Sequence, residues 1–121
     1  MMAAKTQPVP KGTRAAGARL WRDVLTKYEL EEHELALLRE AVRTVDQLDE
    51  LHGISEREGL VVDGPHGSKA HPALTEARQL RIALARVLAA LRLPAGDEDE
   101  GGQRRPQRRI GVRGIYTAAG A

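Results

Sequence analysis

Apolar positions recur along this chain at spacings of three and four residues, the rhythm of helices that bury one face. Leu20, Trp21, Val24, Leu25 and Tyr28 form the first stripe. They predict a helix that begins at about Gly17 and ends near Tyr28, with Arg19, Arg22 and Lys27 mostly off the stripe. After a break at 29–31, Leu35, Leu38, Val42, Val45, Leu48 and Leu51 form the second stripe, predicting a helix from about Glu32 to Glu58. Acids crowd its first turn, where the helix dipole favours them. At 1.5 Å per residue such a helix is roughly 40 Å long, too long for one short partner helix to cover. Gly53 weakens it by about 1 kcal/mol relative to Ala, so a kink or fray is expected near its end. Residues 59–71 hold two short segments around a Gly/Pro turn, a small β-hairpin or an ordered loop. Pro72 then opens a third helix, at a position where its fixed φ and missing N–H are harmless. Leu74, Ala77, Leu80 or Arg81, Leu84, Val87 or Leu88, and Leu91 carry its apolar face up to Leu93 and Pro94.

These elements predict a mainly α fold: a helical hairpin or bundle with a long central helix, a small β-hairpin or ordered loop, and a third helix. The flanks differ in character. Residues 1–16 carry Pro8, Pro10 and Gly12 among small and basic residues and read as a flexible basic arm. Residues 17–94 read as a helical oligomerisation core, and 95–121 as an acidic, then basic, tail that stays disordered until something binds it.

Composition sharpens this picture at the level of assembly. A chain of 121 residues has room for one core, and this one has no Phe, one Trp and two Tyr to fill it. A small domain buries only about 60% of its unfolded surface, so a core of Leu, Val and Ala gains from oligomerisation. A homo-oligomer is therefore expected, built on Leu35, Leu38, Val42, Val45, Leu48 and Leu51 together with the third helix. The absence of cysteine removes disulfides, thiolate nucleophiles and zinc–thiolate sites. No stretch reaches the roughly 18 to 20 apolar residues of a membrane span, and the N-terminus lacks the apolar run of a secretory signal, so no membrane partner and a cytoplasmic location are expected. The net charge of +2 hides a block pattern. Residues 31–58 hold nine acids against three Lys/Arg, whereas 101–121 hold five arginines and no acid. Such blocks suit polyanion contact at some surfaces and self-assembly at others.

Candidate chemistry adds little. His33-Glu34 begins like the zinc-protease helix motif, but Leu37 stands where the second histidine ligand belongs. Gly64-Pro65-His66-Gly67-Ser68-Lys69 has the residues of a phosphate loop in the wrong order and spacing. His66 and His71 are able to approach across a hairpin, yet no further ligand accompanies them, so they read as surface histidines and no metal or cofactor is expected. The carboxylate pairs Glu31/Glu32 and Asp49/Glu50, and the run 97–100, lie in solvated acidic stretches without a pocket, which leaves no catalytic residue to name. Trp21 and Tyr28 suit base stacking, but at a seven-residue spacing among leucines the core is the better place for them. The arginines of 104–113 either neutralise phosphates or keep a tail in solution, and arginine's fork favours nucleic acid or a partner.

Three stretches in order carry a family resemblance: Arg19-Leu20-Trp21-Arg22-Asp23-Val24-Leu25 with the leucine stripe after it; Gly59-Leu60-Val61-Val62 with Gly64 and Gly67; and His71-Pro72-Ala73-Leu74 with Arg78, running into Leu91-Arg92-Leu93-Pro94. Over residues 17–94 the chain resembles the small terminase subunits of tailed bacteriophages, although it lacks the N-terminal helix-turn-helix and long linker of many of them. The resemblance implies a non-enzymatic subunit that assembles as a ring and binds viral double-stranded DNA at the start of genome packaging. It also implies regulation of the large terminase subunit, which holds the ATPase and nuclease, in the host cytoplasm and outside the mature virion. The phosphate contacts expected on charge grounds are Lys5, Lys11, Arg14, Arg19 and Arg22 near the N-terminus and Arg104, Arg105, Arg108, Arg109 and Arg113 in the tail. Ile110, Val112, Ile115 and Tyr116 are apolar anchors if the tail instead docks on the large subunit. The alternative is a helical adaptor or scaffolding protein that never touches DNA.

Overall fold

The computed structural model describes residues 7–94 and the backbone of Arg108 and Arg109. Its elements run α1 (Ala15–Lys27), β1 (Tyr28–Glu29), α2 (Glu32–Glu58), β2 (Val61–Gly64), β3 (Gly67–Ala70), α3 (Pro72–Leu91) and β4 (Arg108–Arg109). The molecule is mainly helical, as the periodicity predicts, with α1 and α3 both packed on the long α2. No helix among the described residues is long and apolar enough to cross a membrane.

Local chemistry explains where α2 starts and stops. Glu31 and Glu34 form a capping box, each side chain accepting the other's backbone N–H, which satisfies two donors that the helix leaves open. The helix runs on through Gly53 without ending there. It stops at Gly59, whose φ of +90° is open to glycine and strained for other residues, with the Gly59 N–H donating to Ser55 O at 2.8 Å. β2 and β3 then form an antiparallel hairpin in register Val61↔Ala70 to Gly64↔Gly67, resolving the choice between hairpin and loop. The hairpin projects from the bundle, leaving Leu60 61% and Val61 56% exposed.

The core sits at one end. Trp21 and Val24 of α1, Leu35, Leu38 and Val42 of α2, and Leu91 of α3 form its buried cluster, with Val9, Leu25, Tyr28, Leu30 and Leu88 among the half-buried residues around it. Leu91 therefore reaches the first half of α2 while His71, just before α3, bonds Glu58 at the far end, so α2 and α3 run antiparallel. Along the second half of α2, Val45, Leu48, Leu51 and Ile54 are only half-buried, as are Leu80, Leu84 and Val87 on α3.

Two expectations shift. The packed chain starts earlier than Gly17: α1 begins at Ala15, and residues 7–14, read as part of a flexible arm, lie against the bundle. Val9 joins the core rim, the Trp21 Nε1–H donates to Gln7 O at 3.2 Å, and Thr13 turns back on Pro10 O through both its N–H and its hydroxyl. The apolar Val9 and the one tryptophan supply what the polar composition of the arm concealed. Second, Leu35, Leu38 and Val42, expected as oligomerisation residues, are spent inside this chain's own core. Their side chains meet α1 and the end of α3, so only Val45, Leu48 and Leu51 of that stripe retain surface for a second copy.

Candidate nucleic-acid interface

The start of α1 is held by contacts from a distant part of the chain. Arg14 precedes the helix in extended conformation and has no side-chain cap of its own. Asp46 of α2 does that work from 32 positions away: Oδ2 accepts the Arg14 N–H at 2.7 Å and Oδ1 the Gly17 N–H at 2.7 Å. A carboxylate at this end also suits the helix dipole. The approach requires Gly17, since a Cβ there would lie 2.6 Å from Asp46 Oδ2 and 2.8 Å from Val42 Cγ1. One turn further along α2, Glu50 pairs with the Arg14 guanidinium at 3.1 Å. An open cleft runs beside this junction, lined by Lys11, Thr13, Arg14, Arg43, Asp46 and Glu50 among others. Its charges are largely matched, because Arg43 pairs with Glu40 and Asp46 is committed to backbone.

This geometry divides the expected phosphate contacts. Arg14 is engaged with Glu50. Lys11, Arg19 and Arg22 are exposed and have no ion pair among the described residues, and Arg19 and Arg22 stand one turn apart on the solvent side of α1. Lys5, Arg104, Arg105 and Arg113 lie outside the described residues, as do the acidic run 97–100 and the anchors Ile110, Val112, Ile115 and Tyr116. Arg108 and Arg109 are described in backbone only: β4 pairs antiparallel with β1, Tyr28 opposite Arg109 and Glu29 opposite Arg108. The backbone of Arg108 and Arg109, two residues of the basic tract, thus lies at the α1–α2 junction. Sequence reading passed over Arg78, Arg81 and Arg86, three exposed cations of α3 that also lack an ion pair among the described residues. The off-stripe positions of Arg78 and Arg86 were the available signal, whereas the periodicity sets Arg81 beside Leu80 on the apolar face.

The histidines separate. His66 sits exposed in the hairpin turn, whereas His71, read as a surface residue, is buried and caps α3. Its Nδ1 accepts the Ala73 N–H at 2.9 Å, so the ring proton is on Nε2, which donates to Glu58 Oε1 at 2.7 Å. A histidine cap before proline lies outside the usual Ser/Thr/Asp/Asn cues. Among the described residues no three His, Cys, Asp or Glu side chains gather as a metal site would need. Trp21 is core, and Tyr28 lines the core with its hydroxyl donating to Pro94 O, which leaves neither ring presented for base stacking. Glu31, Glu32, Asp49 and Glu50 are exposed on the α2 surface. No family model, curated protein or solved structure matches this chain.

Proposed function

We propose that this chain is a non-catalytic, DNA-contacting assembly protein of the small terminase type. In this reading it forms a ring-like homo-oligomer that binds viral double-stranded DNA to start packaging and regulates the large subunit. The observation that carries the DNA part is the set of exposed cations Lys11, Arg19 and Arg22 on and beside α1, on the side away from the core and without an ion pair among the described residues. Cations already matched to carboxylates exchange one partner for another on binding phosphate, whereas unmatched ones release counterions and gain affinity. The half-buried apolar residues Leu48, Leu51, Leu80 and Leu84 support self-association, since a second copy covering them removes that surface from water. The terminase assignment itself rests on the resemblance over 17–94.

A second reading, the helical adaptor without DNA, draws on the exposed Leu60, Val61 and Ile82, apolar side chains that suit a protein partner. Titration of the full chain against a short duplex at several salt concentrations separates the two. The DNA reading expects log affinity to fall linearly with log salt, with a slope of about −0.9 per phosphate neutralised. No binding at low salt favours the adaptor.

A further inference from the structure

Tyr28 ties two parts of the chain to one place. Its hydroxyl donates to Pro94 O, fixing the exit from α3 beside β1, and its backbone pairs with Arg109. The chain therefore leaves the core next to β1 and is back on it after the 13 residues 95–107. A connection of that length sets an effective concentration of about millimolar, so a short strand pairing too weak to hold a free peptide is populated in cis.

Charge is complementary across the pairing. Residues 28–38 hold Glu29, Glu31, Glu32 and Glu34 with no Lys or Arg, and 104–113 hold five arginines with no acid. The helix start accounts for part of the acid cluster, since Glu31 and Glu34 build the capping box and Glu32 pairs with Arg39 at 3.3 Å. It does not account for Glu34 Oε2. That side chain is 2% exposed, and while Oε1 accepts the Glu31 N–H at 2.7 Å, Oε2 has no hydrogen-bond partner among the described residues. A buried carboxylate oxygen without a donor is costly, and an arginine fork is the side chain best shaped to satisfy it.

We propose that the arginine tract of the tail docks in cis on the acidic start of α2, held there by the β1–β4 pairing, and that this contact competes with DNA for the same arginines. The competition rests on the DNA-binding reading above; the docking does not. Free tails then belong to the DNA-bound state and docked tails to the unbound state, giving the acidic block a role in restraining non-specific binding.

The chain has no cysteine, so Glu29→Cys with Arg108→Cys places its only two thiols at opposed positions of the pairing. Opposed side chains have Cβ atoms about 4.5 to 5.5 Å apart, within a small adjustment of disulfide spacing. Mild oxidation of the full chain is expected to give an intramolecular disulfide, and the oxidised form to bind a short random-sequence duplex about tenfold more weakly than the same protein reduced, as for a competent state cut to a tenth of its population. Thiols that stay free, or disulfides that join two chains on a non-reducing gel, overturn docking in cis. Equal affinity before and after reduction overturns the competition. A second comparison uses no cross-link: Glu29→Gln with Glu32→Gln should raise duplex affinity several-fold with the native tail. The gain should vanish when Arg104, Arg105, Arg108, Arg109 and Arg113 are all Gln, and equal gains in both backgrounds would also overturn the competition. A chain that binds no duplex in any state refutes the DNA reading and the competition with it, while the disulfide yield decides the docking by itself.

Discussion

Asp46 and Gly17 show how much one long-range contact does in a small bundle. Asp46 accepts two backbone N–H groups at the start of α1, and Gly17 admits it by lacking a Cβ. Gly17→Ala should lower stability by about 1 to 3 kcal/mol, the usual cost of overpacking, because the new methyl displaces the carboxylate or Val42. Helix propensity alone predicts the opposite sign, a gain of about 1 kcal/mol, so the direction of the shift in chemical denaturation decides whether the close approach exists. Asp46→Ala should cost about 0.5 to 2 kcal/mol as a lost cap. Combined with Gly17→Ala it should be less than additive, because the two residues share one contact. His71→Ala removes both the α3 cap and the bond to Glu58 and should cost about 1 to 2 kcal/mol, read as a lower midpoint in urea. Asp46 as a cap was not legible in the sequence, where it stands as one acid among nine in a helix surface stripe. Arg14 offers no local cap to prompt the search for a distant one.

The two halves of α2 differ at the scale of the element. Periodicity correctly predicts one helix with one continuous stripe, but it cannot say which neighbour covers each part. The apolar residues of the first half are closed over by α1 and the end of α3, whereas the second half meets the start of α1 through the polar Asp46 and Glu50 and otherwise runs along α3. Leu38→Ala should therefore cost about 2 to 5 kcal/mol within the folded chain, visible as a large drop in melting temperature at any protein concentration. Leu48→Ala should cost less in that measurement, since Leu48 is only half-buried. It should instead reduce assembly mass in light scattering, and its effect on melting should grow with protein concentration. Equal behaviour of the two variants would mean that the second half of α2 is not an interface between copies.

Charge is a property of the whole molecule, and here the pairing pattern matters more than the sum. The described ion pairs are mostly exposed and contribute about 0 to 1 kcal/mol each, so they add little to stability. Their consequence is to sort the cations. Arg14, Lys27, Arg39 and Arg43 have carboxylate partners, while Lys11, Arg19 and Arg22 have none among the described residues. Replacing Lys11, Arg19 and Arg22 together by Gln should reduce the salt slope of duplex binding by up to about 2.7, three phosphates at 0.9 each. Arg39→Gln should leave that slope nearly unchanged. If the slope responds equally to both, generic charge rather than this surface governs the contact.

By itself the sequence determined the helical class, the three apolar stripes, the extent of α2 and a glycine-bounded segment between α2 and α3 that only the structure resolved as a hairpin, because these follow from local spacing and from residues whose backbone freedom is intrinsic. It also showed the charge blocks, which need only counting. Tertiary structure decided what each stripe faces: Leu35, Leu38 and Val42 were spent on this chain's core, Val9 and Trp21 drew residues 7–14 onto the bundle, and His71 was withdrawn from the surface to cap α3. It also decided which carboxylates are committed inside the fold, since Asp46 and Glu34 differ from the acids around them only in what the fold places beside them. Periodicity reports which side of an element avoids water. The identity of the group on the other side depends on contacts between residues far apart in the chain, and no local pattern encodes those.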